Sequence, residues 1–220
     1  MGAHQEMSGR FISFEGPDGA GKTSVLTAIR TGLVNQLGDQ VVYTREPGGN
    51  PIAEQVRAVL LDKQNGAMDD WTEALLYAAS RRQHVVETLK PALEAGKLIL
   101  CDRYLDSSIA YQGGGRELGI DRIWELNQYA IDGLLPDLTI FLDLPVETGL
   151  ARIEKGRAET INRLDEQTTN FHRRVRQAYL TLAERFPERI VKVNADQELA
   201  RVIEDVRSAI HARYADLFTN

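Results

Sequence analysis

Eight residues, Gly16-Pro17-Asp18-Gly19-Ala20-Gly21-Lys22-Thr23, constrain this chain more than any other stretch. They match the pattern G-x-x-x-x-G-K-[ST], in which glycines let the backbone curl until its N–H groups face a bound phosphate. The pattern requires a strand before it and a helix after it. Arg10 to Glu15 alternates apolar and polar residues and runs into glycine, as a strand does. From Lys22 onward, Val25, Leu26, Ile29, Leu33, Val34 and Leu37 recur at helical spacing. The helix N-terminus adds partial positive charge to the loop. Gly16, Pro17, Asp18, Gly19, Ala20, Gly21, Lys22, Thr23 and Ser24 are thus the expected cradle for a nucleoside triphosphate. Lys22 would reach its β and γ phosphates, and the Thr23 hydroxyl would ligate Mg²⁺.

The remaining chain keeps alternating strand and helix. Strands are expected at 40–44, 97–101, 138–142 and 190–193. Helices are expected at 51–61, from Asp69 or Asp70 toward Ala95 with a proline kink near Lys90, at 104–112, 121–132, 146–155, 163–186 and 197–213. Gly113-Gly114-Gly115 should separate the helices at 104–112 and 121–132. Five strands interleaved with helices predict an α/β fold with a mostly parallel sheet, a single domain over 10–213 and tails at 1–9 and 214–220. Periodicity carries no information on strand order.

With 220 residues and 43% apolar content, the chain can bury a core without staples. Its single cysteine, Cys101, excludes an internal disulfide framework and a multi-thiolate zinc site. No apolar run approaches the ~20 residues that span a bilayer, and residues 1–10 lack a signal-peptide core, so a cytoplasmic protein without membrane contact is expected. A net charge of −6 argues against a nucleic-acid coat. Residues 151–176 are the exception, with seven basic and four acidic side chains. Taken alone, that run reads as a solvated helix face.

Two arginines sit where ligands bind in an open α/β sheet, at strand C-termini. Arg45 closes the second strand and Arg103 follows the apolar strand that ends in Asp102. Asp102 is a candidate Mg²⁺ ligand beside the phosphate loop; its other reading is a surface ion pair with Arg103. Lys22, Arg45 and Arg103 would then converge from three strand ends. Such a concentration of fixed cations suits two anions that repel each other, a donor and an acceptor phosphate.

The ordered set Phe-Glu-Gly-Pro-Asp-Gly-Ala-Gly-Lys-Thr (14–23), Arg-Glu-Pro-Gly-Gly (45–49), Leu-Leu-Tyr-Ala-Ala-Ser-Arg (75–81), Asp-Arg-Tyr (102–104) and Ala-Tyr-Gln-Gly-Gly (110–114) resembles the bacterial thymidylate kinase family over about 10–213. The resemblance implies a P-loop NTPase fold of the nucleoside monophosphate kinase type. It also implies Mg²⁺-dependent transfer from ATP to dTMP, giving dTDP for dTTP synthesis, and a homodimer. Asp18 matches the acidic contact to the dTMP 3′-hydroxyl, and Arg45 and Arg103 match the arginines on the acceptor phosphate. Tyr77 stands where the family usually has a Phe stacked on thymine. Arg81 matches the arginine that hydrogen-bonds the base, with Ser108 and Gln112 as further base-facing positions. Tyr111 matches the tyrosine against the sugar C2′. For Tyr77 and Tyr111, ordinary core packing is the competing account.

The same resemblance turns the basic run into a lid, about 151–165, closing over ATP. The phosphate loop has no arginine, and family members built this way draw the catalytic cation from the lid. Arg157 is the first candidate and Arg163 the second, with Lys155 and Arg152 behind them; Arg152 is expected against the adenine ring. The catalytic set is therefore Lys22, Arg103, Arg157, Arg163 and Asp18. Two other readings stay open: a kinase for another nucleoside monophosphate or a deoxynucleoside, and an ATP-occupied regulatory switch. His4, His84, His172 and His211 share no metal-ligand spacing, and Trp71 and Trp124 read as packing residues.

Overall fold

Five short runs rich in branched apolar residues, Arg10–Glu15 (β1), Val41–Arg45 (β2), Leu98–Asp102 (β3), Leu138–Asp143 (β4) and Ile190–Asn194 (β5), pair in parallel in the order β2-β3-β1-β4-β5. They come from a computed structural model that describes residues 9–156 and 167–218, apart from the side chain of Lys155. In a parallel sheet every strand ends at the same edge. The register sets Phe14, Asp102 and Arg45 side by side there, two residues before Gly16 opens the phosphate loop.

Helices cover both faces. On one, Ile12, Phe14, Leu100, Ile140 and Leu142 pack with α1 (Lys22–Leu37) and α9 (Leu199–Arg213). On the other, Phe11, Ile99, Cys101 and Phe141 pack with α3 (Asp70–His84), α5 (Leu105–Ser108), α6 (Ile120–Ile131) and α8 (Thr169–Arg185). Each fully buried aliphatic or aromatic side chain contributes ~1.5–3 kcal/mol. The alternation read in β1 is not that of a strand half-exposed to water. Ser13 and Glu15 are buried, and Ser13 and Thr139 share a hydrogen bond at 2.9 Å. Their polarity serves an internal network.

Local signals place most helix ends. Asn50 caps α2 (Pro51–Leu61) by accepting from the Ala53 N–H at 2.9 Å, with Pro51 in the first turn where no N–H is needed. Asp69 rather than Asp70 caps α3, accepting from the Thr72 N–H at 3.0 Å. Two expectations are corrected. Instead of a simple proline kink, a π-helical turn at Val85–Leu89, with the Lys90 N–H on the Val85 carbonyl, delivers Pro91 into the first turn of α4 (Lys90–Glu94). Gly113-Gly114-Gly115 does not break the chain either. It lies in a π-helical stretch, Ile109–Gly115, which α8 approaches too closely for side chains at Gly114 and Gly115. A Cβ on Gly114 would lie 2.6 Å from Ala178, and one on Gly115 2.6 Å from Phe171. Past α9, residues 214–218 fold back, with Leu217 buried and Asp216 bonded to Arg10 at 2.8 Å.

Candidate active site

α1 starts from Gly21, whose left-handed backbone (φ 82°) serves as N-cap, and no side chain caps its first turn. Those N–H groups are left to an outside acceptor, as an anion site requires. Lys22 Nζ lies back on the loop, donating to the Gly16 and Pro17 carbonyls at 2.9 Å each. Burial, reinforced by the charge of Arg103, lowers its pKa to about 8.

Arg103 follows β3 in a left-handed conformation (φ 68°), uncommon for a residue with a side chain. One Nη donates to Asp18 at 2.8 Å and Tyr111 Oη at 3.2 Å; the other donates to the Gly16 carbonyl at 3.0 Å and Ser107 at 3.2 Å. Tyr111 donates to the second Asp18 oxygen at 2.7 Å. Burial alone would raise the Asp18 pKa, but Arg103, Lys22 and the Tyr111 hydrogen bond outweigh it and hold the carboxyl well below its usual range. Beneath them lies Glu15, accepting from the Tyr104 N–H at 2.7 Å, Ser107 at 2.5 Å and Tyr179 at 3.1 Å. Burial, with the neighbouring Asp106 charge, raises Glu15 to about 7.

Arg45 and Arg103, both expected at the mouth, line one cavity of about 560 Å³ together with Lys22, Thr23, Ser24 and Asp102. Arg45 pairs with Glu54 at 2.9 Å, which also accepts from the Gly49 N–H at 3.0 Å. Arg57, on α2, is a further lining cation that sequence reasoning missed; it donates to the Pro47 carbonyl at 2.8 Å. As a lone charge on an amphipathic helix it carries no motif. No group of three or more His, Cys, Asp or Glu side chains is poised around a metal among the described residues. The oxygens of Thr23 and Asp102 instead suit a hard cation completed by phosphate and water.

Farther along, Tyr77, Arg81, Ser108, Tyr111 and Gln112 line the same cavity, along with Asp18. Tyr77 and Arg81 stand four residues apart on one face of α3, next to the wall that the π-helical stretch presents. Arg81 donates to Glu46 at 2.8 Å, the Tyr104 carbonyl at 3.1 Å, Ser108 at 3.0 Å and Asn127, leaving one of its N–H groups uncommitted among the described residues. Glu46 also joins His84 at 2.8 Å, and His84 meets Thr44 at 2.7 Å. That buried chain fixes the Arg45-Glu46-Pro47 segment to α3.

Across the phosphate loop, a recess of about 270 Å³ is lined by Ala20, Gly21, Arg152, Ala195 and Gln197. Arg152, on α7 (Val146–Gly156), donates to the Ala195 carbonyl at 3.3 Å and the Gly19 carbonyl at 3.4 Å. The loop after β5 had no signal in the sequence. Arg157 and Arg163 lie outside the described residues, as does the Lys155 side chain.

A family model described as thymidylate kinase matches residues 14–206. The thymidylate kinase of Limosilactobacillus reuteri is 61% identical over 96% of this chain and 100% of its own length. The chain belongs to the thymidylate kinase family. The enzyme of that name from Enterococcus faecalis is 54% identical over 96% of this chain and 100% of its own. A crystal structure of thymidylate kinase from Ehrlichia chaffeensis superposes with a TM-score of 0.76 at 32% identity, covering 92% of this chain and 98% of that one. The fold is therefore the P-loop NTPase fold of this thymidylate kinase family, and the family match spans every cavity residue described above.

Proposed function

We propose that this chain transfers the γ-phosphoryl group of ATP to dTMP, giving ADP and dTDP for dTTP synthesis, and that the two nucleotides meet phosphate to phosphate in the 560 Å³ cavity. The observation that carries the reading is the convergence of Lys22, Arg45, Arg57 and Arg103 from different elements on one space beside an uncapped helix end. Two unit charges 4 Å apart repel by about 4 kcal/mol near a protein surface, so two polyanions approach only where such cations stand in place beforehand.

In this reading ATP lies with its phosphates on the loop Gly16–Ser24 and its nucleoside end in the recess by Arg152 and Gln197. Arg45, Arg57 and Arg103 hold the dTMP phosphate. Asp18 takes the sugar 3′-hydroxyl, Tyr111 walls the C2′ side, and Tyr77, Arg81, Ser108 and Gln112 meet the base. Thr23 and Asp102 would hold Mg²⁺, which when bound supplies charge neutralisation on the donor phosphates. No general base is needed, because the acceptor phosphate is already anionic near neutral pH. Its oxygen attacks in line with the departing ADP oxygen, and the protein contributes alignment and positive charge. The phosphate loop offers no arginine, so we assign the catalytic cation to the 151–165 lid, to Arg157 first and Arg163 second. We further take residues 10–213 as the catalytic unit, working in the cytoplasm as a homodimer without nucleic acid or membrane. Among the described residues no helix is long and apolar enough to cross a membrane.

A coupled ADP-release assay with dTMP, dUMP, dCMP, dAMP and thymidine tests the proposal. Turnover is expected to be highest with dTMP. Turnover with thymidine alone, or tight ATP binding with no turnover, would replace this reading with a nucleoside kinase or a regulatory switch.

A further inference from the structure

Glu73 is fully buried one turn before Tyr77, so Glu73, Tyr77 and Arg81 form a stripe at four-residue spacing on α3. Its carboxylate is gripped by Arg116, which donates to one oxygen at 3.2 Å and the other at 3.0 Å. Arg116 in turn meets Asp70 at 3.3 Å and donates to Gln167 at 3.0 Å. Glu73 also accepts from the side-chain amide of Gln112, whose Nε2 donates at 2.9 Å.

A carboxylate clamped by a guanidinium accepts and does not donate. The Gln112 atom turned toward Glu73 must therefore be the nitrogen, which leaves the carbonyl oxygen as the atom Gln112 offers to the cavity it lines. Arg81, close by, has only donors. Together they present one donor and one acceptor, the complement of the O4 and N3–H edge of thymine or uracil. Cytosine reverses both groups and would set N3 against an oxygen and its amine against a guanidinium.

We infer that Glu73 is a positioning residue for base selection, fixing the Gln112 amide so that the site accepts a 4-oxo pyrimidine and rejects a 4-amino one. This rests on the reading above that Gln112 meets the base. Glu73→Gln removes the fixed acceptor, since a glutamine there can present either end to Gln112. The dTMP-to-dCMP ratio of kcat/KM is expected to fall about tenfold, near the cost of one mispaired buried polar contact, with KM for ATP unchanged. Arg116→Lys keeps a cation but loses the two-pronged grip; being farther out, it provides a second variant, expected to lower the ratio about threefold. A purely structural role for Glu73 would depress both substrates alike in both variants, and that result would overturn the inference. Gln112→Leu separates the layers. If it leaves the ratio untouched, the base-contact reading has failed. If it collapses the ratio while Glu73→Gln and Arg116→Lys do not, only the role of Glu73 has failed.

Discussion

Arg103 closes on Asp18 at 2.8 Å, joining the turn after β3 to the phosphate loop. An acidic partner inside an anion site holds the guanidinium in a single orientation and leaves it charged when the acceptor arrives. Because Arg103 binds Asp18 and Tyr111 through one nitrogen and Gly16 and Ser107 through the other, its geometry is set before any nucleotide enters.

Removing it should therefore cost transfer more than ATP binding. Arg103→Ala is expected to lower kcat by 10² to 10³, ~3–4 kcal/mol by analogy with loss of one well-placed oxyanion donor. The Gly16 carbonyl that it releases is still held by Lys22, so the ATP dissociation constant should stay within a few-fold of wild type. Equilibrium ATP titration beside single-turnover kinetics checks this; a large loss of ATP affinity would contradict the assignment of Arg103 to the acceptor.

Tyr111 is held on several sides: its hydroxyl on Asp18 at 2.7 Å, Arg103 at 5.0 Å from its ring centroid, and Phe171 and Tyr179 edge-on at 6.1 and 6.4 Å. A wall so fixed cannot move aside for a ribose 2′-hydroxyl. Tyr111→Ala should lower the preference for dTMP over its ribonucleotide by 10-fold or more, whereas Tyr111→Phe, which keeps the wall, should retain the preference and raise KM for dTMP. Competition kinetics with the two nucleotides decides; an unchanged preference in the alanine variant would mean that the ring does not face C2′.

The parts of this site that the sequence made legible are those whose chemistry dictates residue type locally. A phosphate cradle needs glycines followed by Lys and Thr, and cations at strand ends are visible as soon as the strands are. Arg57 was illegible because nothing in the sequence distinguishes a helix arginine facing a cavity from one facing open water. Ser13 and Glu15 alternate with apolar residues yet are both buried: Ser13 meets Thr139, and Glu15 lies beneath Arg103 through Ser107. The glycines at 113–115 looked like a break because the role of Gly114 and Gly115, admitting α8, depends on a partner more than 50 residues away in the chain. Strand order has the same origin: it is fixed by which faces pack, and no single strand records it.

Gly19 and Gly149 press the phosphate loop against α7 with no room between them. A Cβ at Gly149 would lie 2.8 Å from the Asp18 carbonyl, and one at Gly19, where φ is +80°, 2.4 Å from the Gly149 carbonyl. Backbone on both sides leaves no flexible end to yield. Gly149→Ala should therefore displace loop or helix at ~1–3 kcal/mol, the usual cost of overpacking, and raise KM for ATP about tenfold while KM for dTMP changes less. Steady-state kinetics in both substrates, with a thermal melt to confirm folding, is the check. Wild-type ATP kinetics would show that the contact is not needed to shape the loop.

Lys22 makes ATP binding sensitive to pH. Its pKa in the folded, nucleotide-free protein is about 8 instead of 10.5, through burial and the charge of Arg103. Between those two values the folded chain holds fewer protons at this site than the unfolded chain, so Lys22 makes stability rise with pH across that window. Polyphosphate acts in the opposite sense, favouring the charged ammonium and raising its pKa. ATP binding near pH 8.5 should thus take up protons, and affinity should fall as pH climbs above about 8, approaching tenfold per unit. Titration calorimetry in two buffers of different ionisation enthalpy measures the uptake directly. Lys22→Arg, whose guanidinium stays charged throughout, should abolish both the uptake and the slope whatever its own affinity. A wild-type affinity that is flat from pH 7 to 9.5 would show that the lysine is charged before the phosphates arrive, and that burial against Gly16 and Pro17 does not perturb it.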